Sequence, residues 1–210
     1  MTVGRKLTDS EGRDKWGRSR RLPPLILLTD DVRLPDPAAA VSRLRRGSAV
    51  ILRHYNTPDR AALARTLARI CRRRGLRLLI AGDWRLAAAV GADGVHLPEG
   101  LVRRGPGAWN AGLPRRPGFL VTAAAHSPAA LFRAVRAGAD AALLSPVFPT
   151  ASHPGAPTLG VLRFALWCRS APLPVYALGG VDTRTAPRLA GSGLAGLAGI
   201  GGWTGGGGKS

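Results

Sequence analysis

The 210-residue chain carries four histidines, His54, His96, His126 and His153, and each stands at or just after the end of a short apolar run. Imidazole titrates near neutrality and also ligates metals, so histidines at matching strand ends point to acid–base chemistry or an anion site. A histidine metal centre would need three convergent ligands, and neither HxH nor HExxH spacing occurs. His96, inside GVHL, fits a buried, hydrogen-bonded strand position equally well. His126 precedes Ser127, so it reads either as a proton-transfer group or as a packing neighbour of a helix cap.

Two glycine turns give a second signal. LGGVD (178–182) and GIGGW (199–203) each end an apolar run. Glycine there lets backbone N–H groups approach a phosphate, although tight turns alone also select it. A third signal is SPVFPTASHPGAPTLG (145–160), which leaves an apolar run and turns irregular. Long irregular stretches inside a compact domain are usually functional or disordered.

The elements that must position these residues alternate. Eight apolar runs read as strands, at 25–30, 49–54, 76–82, 94–98, 119–125, 141–147, 173–180 and 194–200. Helical connections join them: 36–46 with Asp36 as cap and Pro37 in its first turn, 58–74 capped by Thr57, a segment ending at Val90, and segments starting at Ser127, near Val161 and at Asp182. Segment 99–117 reads as poorly formed. Parallel strands need crossovers and bury both faces, so the pattern predicts an α/β protein with a single small (β/α)8 TIM barrel. An open doubly wound sheet would carry a G-x-G-x-x-G turn where this chain has TDDVRLPD. The barrel is expected over 25–203, between a flexible basic N-terminal segment (1–24) and a flexible glycine-rich tail (204–210), with the helix after strand eight missing or very short. Barrel chemistry lies at the C-terminal ends of the strands, with phosphate recurrently bound after strands seven and eight. The three signals fall on that face.

Composition bounds the function classes. A hydrophobic content of 45% suffices for one substantial core. No uninterrupted apolar stretch reaches about 18 residues, and the N-terminus is charged where a secretory leader would be apolar, so a cytoplasmic protein is expected. Cys71 and Cys168 form no CxxC pair and read as core residues. A net charge of +19 raises nucleic-acid binding, yet only 3 of the 31 basic residues are lysine and the arginines scatter through every helical segment. That distribution points to compositional bias and leaves a nucleic-acid module as the third-ranked reading.

GADGVHL (91–97), AHS (125–127), the 145–160 stretch, PVYALGGV (174–181) and the spacing from Gly180 to Ile200 together resemble the thiamine-phosphate synthase family, including its thiazole tautomerase branch. The resemblance runs from about Leu25 to Trp203. It implies a barrel that joins a pyrimidine pyrophosphate to a thiazole phosphate with Mg²⁺. By position, Thr150 and Ser152 would hold the thiazole phosphate, with His153 where the family has a lysine, and Gly179, Gly180, Ile200 and Gly201 match the phosphate turn. The family's Gln-x-Arg-x-Lys on strand two reads ILRHY here, retaining only Arg53. Its Asn-Asp after strand three falls on Ala81 and Gly82, and its second magnesium aspartate on Leu101, so no metal or other cofactor is assigned. The tautomerase branch needs neither metal nor pyrophosphate, and its histidine corresponds to His126. The expected function is thus an enzyme of thiamine biosynthesis that takes a small phosphorylated substrate, thiazole phosphate, with impaired coupling to pyrimidine pyrophosphate. Its catalytic candidates are His126, His153 and Arg53. The alternative is a non-catalytic phospholigand-binding or regulatory barrel.

Overall fold

Parallel pairing runs without a break around a closed ring. In the computed structural model, which describes residues 22–105, 107, 117–150, 155 and 157–201, eight strands form a barrel in sequence order. They are β1 (Leu25–Leu28), β2 (Ala49–Leu52), β3 (Arg77–Ala81), β4 (Gly94–Leu97), β5 (Leu120–Ala125), β6 (Ala141–Leu144), β7 (Val175–Ala177) and β8 (Gly196–Gly199). The crossovers hold α1 (Pro37–Ser42), α2 (Arg60–Arg74), α3 (Trp84–Ala89), α4 (Glu99–Arg103), α5 (Pro128–Arg136) and α6 (Gly160–Ser170); a 3-10 turn, Ala186–Leu189, joins β7 to β8. No described helix is long and apolar enough to cross a membrane.

Alternation sends strand side chains into two cores. Ile26, Leu28, Ile51, Leu79, Leu143 and Tyr176 fill the barrel interior. Leu27, Val50, Leu52, Ile80 and Val95 face outward and meet Leu67, Leu131 and Phe164 from the helices. Strands buried on both faces are apolar at nearly every position, the paired His96 and Thr122 excepted, which is why they stand out as near-continuous runs. Both cysteines lie in the outer core, where burial pushes the Cys71 thiol up to about 12 and the Cys168 thiol up to about 11.

The ring closes where β8 meets β1, and Leu22–Pro24 take part. The Tyr176 hydroxyl donates to the Pro23 carbonyl at 2.7 Å, and Leu197 N–H donates to the Pro24 carbonyl at 3.1 Å. Gly196 is required at this seam, since a Cβ there would lie 2.7 Å from both the Pro24 carbonyl oxygen and the Tyr176 ring.

Asp36 and Ser127 cap their helices, accepting from Ala38 N at 3.1 Å and Ala130 N at 3.2 Å. Three local expectations are corrected. α2 starts at Arg60 and its cap is Asp59, which accepts from Ala62 N at 2.8 Å, because the Thr57 hydroxyl donates instead to Asp31 Oδ1 at 2.9 Å. Segment 99–117 opens with a true helix, α4, held by the Glu99–Arg103 pair one turn apart. After β7 no α-helix forms: Asp182 Oδ1 accepts from Arg184 N and Thr185 N, the Thr185 hydroxyl donates to the Gly180 carbonyl, and only the 3-10 turn follows. Segment 1–21, Ser152, His153 and the chain from 202 onward, including the tail and any helix after strand eight, lie outside the described residues.

Candidate active site

His126 stands one residue beyond β5, with 47% of its side chain exposed. Its Nδ1 lies 2.8 Å from the Ser145 carbonyl oxygen and 3.2 Å from the Ser145 hydroxyl. A carbonyl only accepts, so Nδ1 carries a proton, which leaves Nε2 as the nitrogen that can take or give one. That nitrogen lies 3.7 Å from Glu99 Oε2. The other carboxylate oxygen of Glu99 accepts from Arg103 Nη2 and Arg133 Nη2, both at 3.0 Å. Burial alone would raise the Glu99 carboxyl, but the Arg103 hydrogen bond, the nearby His126 and Arg133 outweigh it and hold the group below its usual value. Glu99 went unnoticed in the sequence because 99–117 looked unstructured, and Glu99 four residues before Arg103 was the available signal; Arg133 and Ser145 join the site only through tertiary contacts.

The loop after β6 begins beside that histidine partner. Its outgoing stem is tied to the end of β7, with Val147 N donating to the Leu178 carbonyl at 2.9 Å and Phe148 N to the Gly179 carbonyl at 3.0 Å. Its returning stem comes back on the outgoing one, Leu159 N to the Pro146 carbonyl at 3.0 Å and Gly160 N to the Val147 carbonyl at 2.9 Å. The stretch from 145 to 160 is therefore a loop with clamped stems, carrying Thr150 at its described edge. Gly179 and Gly180 have positive φ, 90° and 64°, and a Cβ on either would strike this loop: Pro146 from Gly179, the Phe148 side chain and Pro149 carbonyl from Gly180. These two glycines thus have a packing requirement in addition to any anion role. Gly201 shows none, since no atom of the described residues lies within 4 Å of its would-be Cβ. Ile200 packs against the interior core. Arg188 lies over the Phe148 ring at 4.9 Å, adding a cation on this side.

The other two described histidines are interior groups. His96 faces Thr122 across the β4–β5 pair, Nδ1 to Oγ1 3.0 Å, and is 4% exposed. Burial, with the Arg53 charge adding to it, pulls its imidazole down to about 3. His54 is 2% exposed, with Nδ1 2.8 Å from the Thr29 hydroxyl and Nε2 buried without a partner among the described residues. Thr29 also accepts from Arg53 N at 2.9 Å. Arg53, partly buried, therefore stands at the end of β2 close to His96. All these groups occupy the C-terminal ends of their strands, hence one face of the closed barrel. Hydrogen bonds join His126 to the β6 loop and that loop to the 179–180 turn, whereas Arg53 is bonded through its backbone N–H to Thr29.

Magnesium needs oxygen ligands in octahedral order. The two carboxylate positions implied for it carry Gly82 and Leu101, and both line one cavity of about 450 Å³ with Tyr55, Arg60 and Trp84. The adjacent acid, Asp83, caps α3 by accepting from Leu86 N at 2.9 Å, and its second oxygen lies 3.9 Å from Arg60 Nη1. Among the described residues no three histidine, cysteine or acidic groups come together. These residues do not fit the ion.

A family model for thiamine monophosphate synthase matches residues 25–202. The chain is 34% identical over 165 residues to putative thiamine-phosphate synthase 2 of Aquifex aeolicus, covering 75% of this chain and 83% of that one. It is 38% identical over 174 residues to the thiamine-phosphate synthase of Myxococcus xanthus, covering 80% and 78%. Among solved structures, thiamine phosphate pyrophosphorylase from Pyrococcus furiosus shares the fold with a TM-score of 0.66 at 24% identity, over 85% of this chain and 86% of that one.

Proposed function

Because the chain belongs to the thiamine monophosphate synthase family, we propose that it is a thiamine-biosynthesis enzyme that binds a thiazole phosphate and moves a proton on it, with the coupling step impaired. The observation that carries this reading is the His126 arrangement. Nδ1 is fixed by the Ser145 carbonyl, so proton exchange falls to Nε2, and the Glu99 carboxylate 3.7 Å away would stabilise the imidazolium form. In a tautomerisation the ring takes a proton from one carbon of the ligand and returns it to another, so no co-reactant is consumed. The phosphate would lie between the β6 loop and the turn after β7, with Thr150, Ser152, Gly179, Gly180, Ile200 and Gly201 as its contacts and His153 and Arg53 as further polar groups. The coupling reaction has weaker support, because Gly82 and Leu101 offer no side-chain oxygen for magnesium and a single arginine remains of the strand-two set.

The test is isomerisation of thiazole phosphate followed by NMR, with and without EDTA. Turnover should persist in EDTA and fall by about 10² to 10⁴-fold in His126→Ala, the usual range for a positioned acid–base group. Thermal stabilisation by the ligand should survive that substitution. Stabilisation without turnover would leave a binding protein, and pyrophosphate release from both substrates with Mg²⁺ would restore the coupling enzyme.

A further inference from the structure

The cavity at the would-be metal corner has a chemistry of its own. Its volume of about 450 Å³ would hold one substituted ring. Tyr55, Trp84, Leu97 and Leu101 give it apolar walls, and Gly82 at φ 71° adds no side chain. The Tyr55 ring stays against Gly82, 3.7 Å from where a Cβ would be. Burial outweighs the nearby Arg53 and Arg60 and pushes the Tyr55 phenol up, so it is a neutral donor near pH 7.

Three charged groups line this space: Arg60, Arg85 and Asp83. Arg60 is the fixed one, 17% exposed, with Nη2 donating to the Ala81 carbonyl at 2.7 Å and its guanidinium 5.2 Å from the Tyr55 ring centre. Its Nε–H is buried, with no acceptor among the described residues. Arg85 lies over the Trp84 ring at 4.7 Å. Two guanidinium groups against one carboxylate leave one positive charge beside apolar walls. A metal-bound diphosphate suits such a lining poorly, because it brings two ionic centres while the one lining carboxylate, Asp83, is engaged as the α3 cap and beside Arg60.

We infer that this corner is a metal-independent pocket for a planar apolar ring bearing a single anionic group, the class of an aromatic carboxylate. The Arg60 and Arg85 edge meets the anion while Tyr55, Trp84 and Leu101 cover the ring. The inference does not use His126 or the phosphate turn, so it stands or falls apart from the proposed reaction.

The probe is 4-fluorobenzoate, titrated into the full chain and read by ¹⁹F NMR line broadening. Saturable binding is expected, unchanged by EDTA, and at least about tenfold tighter than acetate measured by competition, since acetate lacks the ring. Leu101→Asp puts a carboxylate into the cavity and should weaken the probe at least about tenfold; a thermal melt confirms that the variant folds. Trp84→Leu, which keeps an apolar wall but removes the flat face, should weaken it less than Leu101→Asp does. No saturable binding, equal affinity for acetate, an unchanged Leu101→Asp titration, or displacement of the probe by pyrophosphate only when Mg²⁺ is present would each overturn the inference.

Discussion

His96 shows what burial does to a single titratable group. With its imidazole down at about 3 and an ordinary value of 6.5 in the unfolded chain, the unfolded state binds one more proton across that interval. Stability therefore falls as pH drops below about 6.5, and recovers as pH rises. The slope for one proton is about 1.4 kcal/mol per pH unit. Denaturant melts near pH 6 and pH 5, above the range where most carboxylates titrate, should show a loss of about 1 kcal/mol, and His96→Asn should flatten it. The same local reasoning separates the histidines by role: His96 and His54 are buried on threonine hydroxyls, while His126 alone among the described three is open to solvent and aimed at an acid. Residue type could not make that distinction.

Caps decide where the connecting helices begin. Asp59→Ala should cost about 1 kcal/mol, the usual value for a lost cap, because its carboxylate closes the first turn of α2. Thr57→Ala should leave α2 intact, since that hydroxyl ties the β2 loop to Asp31 of the β1 loop. Urea melts for stability and amide exchange at Ala62 for the helix end would check both, with exchange accelerated in the first variant and unchanged in the second. The 3-10 turn after β7 matters in the same way. A four-residue turn presents little of the aligned dipole that an α-helix would offer a phosphate, so anion binding there depends on loop N–H groups and on cations such as Arg188.

Closure of the ring rests on a few contacts at one seam. Tyr176→Phe should destabilise the whole barrel by about 1 to 3 kcal/mol, because it strands the buried Pro23 carbonyl. The loss should appear as a lower urea midpoint with an unchanged slope, since the unfolding unit remains the entire barrel. A change confined to the amides of β8 in hydrogen exchange would mean the seam opens on its own. Closure also places every strand's C-terminal end on one rim, which brings the β5 histidine, the β6 loop and the β7 glycines to a common face.

The sequence by itself determined the eight strands and their order around a barrel, because parallel strands covered on both faces are predominantly apolar and each needs a crossover. It also placed Asp36 and Ser127 as caps, whose chemistry is local to a few residues. Tertiary structure alone decided the rest. Thr57 yields its cap to Asp59 because Asp31 lies across the neighbouring loop. Glu99 becomes the partner of His126 because α4 begins beside the end of β5. Gly179 and Gly180 are fixed by a loop that starts some thirty positions earlier, roughly nine helical turns' worth of chain. Each of these depends on groups distant in sequence, and no periodicity or local propensity encodes such distances.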